Sequence, residues 1–176
     1  MQETPALYDI GLIGTWTWQP NLVGLQWFID KVVPLLPPDM PIGIAGRVPK
    51  DFQSGAANVS LLGRVPDATE FVAACRAIAL TSRNGTGIQL KTIETFQMGK
   101  PAVATKSSVR GLQTLPTNCL VADNHENFAA ALIKMVNDIK SERTQPGDGS
   151  AFIASQKAGM ALALQQGLDA LKHNQP

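Results

Sequence analysis

Six short runs of apolar residues recur along the chain, and none of them alternates between apolar and polar positions. These runs are residues 8–14, 42–46, 59–63, 77–81, 101–105 and 119–122. Unbroken apolar runs of this length are typical of strands that are covered on both faces, as in a parallel sheet. The pattern therefore predicts six buried, parallel strands.

Amphipathic segments separate these runs and predict helices. The first helix is predicted from Pro20, whose missing N–H costs nothing in a first turn, to the proline pair that begins at Pro37. Asp67 and Glu70 have the spacing of a capping box and predict the start of a second helix. A third is predicted over residues 88–98. The repeated order of strand and helix predicts an open, doubly wound α/β sheet with right-handed crossovers.

The last third of the chain predicts two more helices. One begins at Asp123 or Asn124, and a polar segment over 141–150 that contains proline and glycine reads as a loop or linker. The final amphipathic helix is predicted over 150–173.

Composition narrows the possible partners. Fifteen Lys and Arg residues against fourteen Asp and Glu residues give a formal net charge of +1, so we expect no nucleic-acid partner. Two cysteines and two isolated histidines predict neither a disulfide framework nor a metal site. The sequence contains no apolar run of the roughly 18–20 residues that a membrane span needs and no leader pattern. We therefore expect no transmembrane segment and a cytoplasmic location, with peripheral attachment of the whole protein to a membrane left open.

The familiar nucleotide and hydrolase motifs are absent from the loops that follow the predicted strands. In an open α/β sheet, ligands bind at the carboxyl ends of the strands. Gly14 is followed by Thr-Trp-Thr-Trp, so the first of these loops lacks the dinucleotide fingerprint. Gly99-Lys100 is followed by proline and does not form a P-loop, and the chain has no Gly-x-Ser-x-Gly motif.

The segment after the fourth predicted strand carries the strongest candidate chemistry. Gly85 and Gly87 precede a helix, so backbone N–H groups at its start could bind phosphate. Arg83 and Lys91 could add positive charge, and Glu94, which shares a helix face with Lys91, could accept hydrogen bonds from a ribose diol. The alternative is an ordinary turn with a surface ion pair and a solvated arginine.

The same segment resembles a known signature. GTGIQLKTIETFQMGKPAVAT (85–105) is similar to the donor-binding motif of family 4 (group 1) glycosyltransferases, which in one branch is close to G-G-T-x-L-K-x-L-E-A-x-A-x-G-x-P-V-V-x-T. PNLVGLQWF, VSLLGRVPD and SSVRGL resemble further pieces of that branch in the same order. The resemblance extends from about residue 8 to 140.

This resemblance implies the C-terminal half of an enzyme of the GT-B architecture, which has two facing Rossmann-like domains. Residues 1–145 would form the nucleotide-sugar-binding domain. The helix over 150–173 would pack on it or cross towards an N-terminal domain that binds a glycan, lipid or small-molecule acceptor. Family members transfer a sugar with retention at the anomeric carbon, without a metal or another cofactor. We expect the chain to be a fragment that is inactive alone, with a naturally split enzyme as the alternative.

The family pattern also assigns residues by position. Glu94 matches the second glutamate of a Glu-x7-Glu motif, which holds the ribose, whereas Thr86 stands where the first glutamate is expected. The basic pair that many relatives carry after the first strand is missing from TWTWQPN, so Arg83 and Lys91 are predicted as the catalytic cations, with Arg47 and Arg64 as further candidates. The residues predicted to bind the donor are Gly14, Arg47, Gly85, Thr86, Gly87 and Glu94.

Other interpretations remain open from the sequence. Trp16 and Trp18 could stack on a base or sugar, or could pack into the fold. The two departures from the family pattern favour a non-catalytic binding or assembly module with a degenerate donor site. A third interpretation, an epimerase of the GT-B type, has less support. Such a site needs histidines, and the two histidines of this chain are isolated in the sequence.

Overall fold

A parallel sheet of six strands forms the centre of the computed structural model, which describes residues 6–84 and 87–173. The strands are β1 (Tyr8–Ile13), β2 (Ile42–Ala45), β3 (Val59–Gly63), β4 (Cys75–Leu80), β5 (Ala102–Ala104) and β6 (Cys119–Val121). They lie in the order β3-β2-β1-β4-β5-β6, and each neighbouring pair is parallel. The predicted Rossmann-like, doubly wound sheet is confirmed.

The direction in which the chain builds the sheet reverses between β1 and β4. From β1 the chain adds β2 and β3 on one side, then returns to place β4 on the other side of β1. The loops that follow β1 and β4 therefore diverge at their carboxyl ends and open a crevice, where sheets of this type bind ligands.

Helices cover both faces of the sheet. They are α1 (Gln19–Trp27), α2 (Ala68–Ala73), α3 (Leu90–Gln97), α4 (His125–Lys140) and α5 (Gly149–His173). One core cluster contains Phe28 and Phe128, beneath α1 and α4, and the other contains Phe71 and Phe96, beneath α2 and α3. Most residues of the four inner strands β2, β1, β4 and β5 are buried between these clusters, which explains why their sequences are mostly apolar. The edge strands β3 and β6 are partly exposed, so the prediction of six buried strands is wrong for these two.

The prediction of one continuous helix from Pro20 to Pro37 is wrong. After α1 the chain makes a π-helical turn over Phe28–Val32 and a 3-10 turn over Val33–Leu35. Pro34 has no N–H to donate to the carbonyl of Asp30, and its ring cannot fit a regular α-helical turn. Leu36 leaves the helix in an extended conformation.

The predicted cap of α2 is confirmed. The carboxylate of Asp67 accepts hydrogen bonds from the backbone N–H groups of Thr69 (2.6 Å) and Glu70 (3.2 Å). Of the two candidates for the start of α4, Asn124 is the cap, since its side chain accepts a bond from the N–H of Asn127 at 2.7 Å.

Asp67→Ala should lower the free energy of unfolding by about 0.5–2 kcal/mol, because two N–H groups of a short helix lose their acceptor. Asp67→Asn keeps an oxygen at the same place and is expected to be nearly as stable as the wild type. Chemical denaturation of the two variants measures the difference. Equal destabilisation by both would show that the cap contributes nothing.

The last helix packs on the domain at its start and is exposed further along. The rings of Phe96 and Phe152 meet edge to face, with centroids 5.3 Å apart. Met160, Leu162 and Leu164 are each at least 60% exposed. Whether α5 extends towards another domain stays a prediction. No helix within residues 6–84 and 87–173 is both long enough and apolar enough to cross a membrane.

Candidate functional site

A cavity of ≈ 500 Å³ lies between α2 and α3, next to the end of β1. Its volume falls within the range of small-molecule sites. The residues around it are Ile13, Ala68, Thr69, Val72, Lys91, Glu94, Thr95, Gln97 and Met98. The cavity thus brings together Lys91 and Glu94, two of the residues predicted from the sequence.

Lys91 contributes an amine that has no acidic partner. None of the ion pairs among the described residues includes Lys91. Its Nζ lies 5.3 Å from the ring centroid of Trp16, within the range of a cation–π contact. Burial lowers the pKa of the Lys91 amine to about 8. At neutral pH Lys91 therefore places a positive charge beside the cavity.

Glu94 lies one turn further along α3 and is exposed to solvent at the edge of the same cavity. Its carboxylate forms no ion pair with Lys91, so the surface pair considered as the alternative interpretation is absent. A free carboxylate can accept two hydrogen bonds from a diol. The cavity therefore presents one cation and one acceptor, separated along a helix face.

The start of α3 has no side-chain cap. Gln89 occupies the cap position in an extended conformation, and its side chain accepts no bond from the first turn. Gly87 is exposed, and a Cβ atom added there would have no atom within 4 Å apart from its chain neighbours. The first N–H groups of α3 therefore remain without a side-chain partner, as at phosphate-binding helix termini. Gly85 and Thr86 lie outside the described residues.

Arg83 lies away from this cavity. Its Nη1 donates a hydrogen bond to the carbonyl of Asp123 at 2.6 Å, and its guanidinium lies 4.6 Å from the ring centroid of Trp27. These contacts hold the guanidinium beside the start of α4. Its predicted catalytic role stays a prediction, and a phosphate group would have to compete with the Asp123 carbonyl for it.

The remaining predicted residues lie at the ends of the neighbouring strands. Gly14 follows β1 and packs against the ring of Trp16. Arg47 and Arg64 follow β2 and β3, and both are exposed. Arg47 and Arg64 are not among the residues that border the cavity, and their donor contacts stay predictions.

The two tryptophans of the first loop differ. Trp16 is 1% exposed and donates a hydrogen bond from Nε1 to the carbonyl of Ala45 at 2.8 Å, so the packing interpretation is correct for it. Trp18 is 64% exposed at the start of α1. Of the two, Trp18 has its ring available for stacking.

A network of buried hydroxyl groups, missed in the sequence, fixes the start of the loop after β4. The Oγ of Ser108 donates to the carbonyl of Leu80 (2.7 Å) and accepts from the N–H of Ser82 (3.0 Å). The Oγ1 of Thr92 donates to the carbonyl of Ser108 at 2.9 Å, and the Oγ1 of Thr105 donates to the carbonyl of Ser82. The signal in the sequence was a hydroxyl residue just beyond β4 and another just beyond β5, Ser82 and Thr105.

A second, smaller cavity of ≈ 250 Å³ lies elsewhere, between residues 114–117 and the start of α5. It is bordered by one ionisable side chain among the described residues, Asp148, which caps α5 by accepting from the N–H of Ala151 at 2.9 Å. Across the described part of the chain, no three His, Cys, Asp or Glu side chains cluster as metal ligands would. The larger cavity is therefore the better candidate for binding a charged ligand.

The sheet and its reversal point define a Rossmann-like α/β domain, and comparison with known proteins gives its family. The model of the family described as glycosyl transferases group 1 matches residues 8–138. The chain therefore belongs to this family of glycosyltransferases. No curated protein matches the sequence.

Several solved structures share this fold at 20% sequence identity or less. HepE from Anabaena, crystallised with UDP, is 20% identical over 88% of this chain and 48% of its own, with a TM-score of 0.60. Sucrose-phosphate synthase from Thermosynechococcus elongatus is 16% identical over 96% of this chain and 46% of its own, with a TM-score of 0.63. The C-terminal domain of a group 1 glycosyl transferase, LpcC, from Francisella tularensis is 19% identical over 87% of both chains, also with a TM-score of 0.63. The chain thus spans about half the length of the first two proteins and most of the isolated C-terminal domain.

Proposed function

We propose that this chain is the donor-binding domain of a retaining, metal-independent glycosyltransferase, and that the cavity between α2 and α3 holds the nucleoside diphosphate part of a nucleotide sugar. One observation carries the proposal: Lys91 and Glu94 border the same cavity, neither is neutralised by an ion pair with a described residue, and both lie beside the reversal point of the sheet.

The two side chains match the two polar parts of such a ligand. The diphosphate carries negative charge, which a partly buried ammonium stabilises more strongly than an exposed one. The ribose offers two hydroxyl donors to Glu94. In the transfer reaction, negative charge grows on the departing diphosphate, so a cation fixed in place beforehand would stabilise the transition state.

The nature of the solved relatives supports this choice of ligand. HepE has been crystallised with UDP and with UDP-glucose, and the second of these structures shares the fold of this chain with a TM-score of 0.58. The transfer itself belongs to the whole protein, for which we propose an acceptor glycan, lipid or small molecule bound by another domain. We further propose that the whole protein works in the cytoplasm, without another cofactor, and that the present chain alone has no transferase activity.

Isothermal titration of the chain with UDP-, GDP- and ADP-glucose tests the proposal. We expect one of the three to bind with a 1:1 stoichiometry, and Lys91→Met to weaken that binding by about tenfold, the loss of one charge-assisted contact. Lys157→Met, which removes an exposed lysine on α5, is the matched control and should bind as the wild type does. Absence of binding by all three sugars, together with inactivity of the whole protein, would refute the proposal.

The affinity for the nucleoside diphosphate should fall as the pH rises above about 8. Burial lowers the pKa of the Lys91 amine to about 8, so the amine is charged below this pH and neutral above it. Binding of an anion favours the charged form, and each further pH unit should therefore weaken binding up to about tenfold. Titrations at pH 7, 8, 9 and 9.5 measure the slope. The same slope in Lys91→Met would assign the effect to another group.

A non-catalytic module remains the second candidate, and the position of Arg83 favours it. The guanidinium is engaged by Trp27 and by the carbonyl of Asp123, so Lys91 is the cation that borders the cavity among the described residues. A module with a degenerate site would bind a nucleotide weakly or not at all. Turnover of any nucleotide sugar by the whole protein would exclude this candidate.

A further inference from the structure

The ring of Trp16 is held in one place although it belongs to a loop. Its Nε1–H donates to the carbonyl of Ala45, and the side chain is fully buried. Two glycines leave room for the ring: a Cβ atom at Gly14 would lie 3.2 Å from its carbon edge, and one at Gly46 would lie 3.2 Å from Nε1. The orientation of the indole is therefore fixed by β2 and by the two loops beside it.

The amine of Lys91 lies over the face of this ring. The two groups come from different elements, the loop after β1 and the first turn of α3, and the amine lies 5.3 Å from the ring centroid. Besides Lys91, Glu94 is the one charged side chain among the described residues that border the cavity, and it forms no ion pair with the lysine. The indole thus takes the place that a carboxylate usually occupies beside a partly buried lysine.

We propose that Trp16 is a positioning residue, whose indole face holds the Lys91 ammonium at the edge of the cavity for the diphosphate of the donor. The function of the amine rests on the function proposed above; the contact itself does not. An aromatic face attracts a cation without carrying a formal charge. A carboxylate in its place would neutralise the lysine and repel the diphosphate, whereas the indole stabilises the ammonium and leaves its charge available to an anion.

The contact also opposes the effect of burial. Burial disfavours the charged form of the amine and lowers its pKa, while the ring favours the charged form. Removing the ring should therefore lower the pKa of Lys91 below its wild-type value. A role of Trp16 limited to packing would not produce this shift, provided that the replacement keeps the lysine buried.

A double-mutant cycle in the whole chain tests the proposal with the nucleoside diphosphate that binds the wild type. Trp16→Leu should weaken binding about threefold to tenfold when Lys91 is present. In the Lys91→Met background the same substitution should change the affinity less than twofold. Equal losses in both backgrounds would assign Trp16 a structural role and overturn the proposal. Trp16→Phe, which retains a ring, should bind within about threefold of the wild type.

A spectroscopic measurement covers the case in which Trp16→Leu does not fold. Reductive methylation with carbon-13 places reporter methyl groups on each lysine amine, and Lys91→Met identifies the Lys91 signal. In the otherwise unchanged protein the ring current of Trp16 should displace this signal upfield. The pH titration of the signal should also give a lower pKa than the titrations of the exposed lysines. A Lys91 signal at the position of the exposed lysines would overturn the proposal.

The two measurements separate this inference from the proposed function. The methyl signal and its titration are recorded without nucleotide, so they decide whether Trp16 holds the amine even if no nucleotide sugar binds. Absence of nucleotide binding, together with inactivity of the whole protein, would refute the donor site. A displaced Lys91 signal, together with a loss of affinity in Trp16→Leu that disappears in the Lys91→Met background, supports both the donor site and the positioning role of Trp16.

Discussion

Glu94→Ala should bind the preferred nucleoside diphosphate sugar about 10- to 100-fold more weakly than the wild type, the cost of losing hydrogen bonds to a charged acceptor. Glu94 is exposed at the edge of the cavity and forms no ion pair with a described residue. Its removal should therefore leave the fold unchanged. Isothermal titration gives the affinity, and thermal unfolding without ligand checks the fold.

A change in the ligand supplies the sharpest control. If Glu94 accepts hydrogen bonds from the ribose, a 2′,3′-dideoxynucleoside diphosphate should bind the wild type and Glu94→Ala equally. Glu70→Ala removes an exposed carboxylate of α2 that does not border the cavity, and should leave both affinities unchanged. An affinity of Glu94→Ala equal to that of the wild type would remove Glu94 from the site.

Gly46→Ala should lower the free energy of unfolding by about 3–5 kcal/mol, which lowers the melting temperature by roughly 10 °C. The backbone of Gly46 has a φ of +112°, an angle that residues other than glycine rarely adopt. A Cβ atom there would lie 1.7 Å from the carbonyl oxygen of Gly14, so the two loops would have to separate. Since Gly14 and Gly46 flank Trp16, the change should also weaken nucleotide binding.

Gly55→Ala is the matched control for this effect. Gly55 also has a positive φ, +65°, but apart from its two chain neighbours nothing lies within 4 Å of the Cβ position. Its substitution should cost only the conformational strain of about 1–2 kcal/mol. Equal losses in the two variants would show that the close approach at Gly46 is not what requires glycine.

The sheet could be predicted from the sequence because its physics is local. The four inner strands are largely buried, so each is a mostly apolar run, and the alternation of strands and helices restricts the topology to few choices. The end of the first helix was not predicted correctly. The apolar spacing continues past Pro34, whereas the backbone changes to a π-helical turn and then to a 3-10 turn. There the missing N–H of proline prevails over the hydrophobic pattern.

The site was predicted in part, because its residues depend on contacts between distant segments. Glu94 and Lys91 could be found together since they share a face of one helix. Arg83 could not be separated from them, because its partner carbonyl at Asp123 is 40 residues away in the sequence. The contact between Trp16 and Lys91 was missed for the same reason: it forms only when β1 and β4 become neighbours in the sheet.

An NMR titration of the carbon-13- and nitrogen-15-labelled chain with UDP-, GDP- and ADP-glucose tests the central claim most directly, because it locates the bound ligand on the domain. The account predicts that one of these sugars shifts the signals of Thr69, Lys91 and Glu94 around the larger cavity and leaves those around the smaller cavity, such as Thr117 and Ser155, unchanged. Shifts confined to the smaller cavity, or no shift with any of the three sugars, would contradict it.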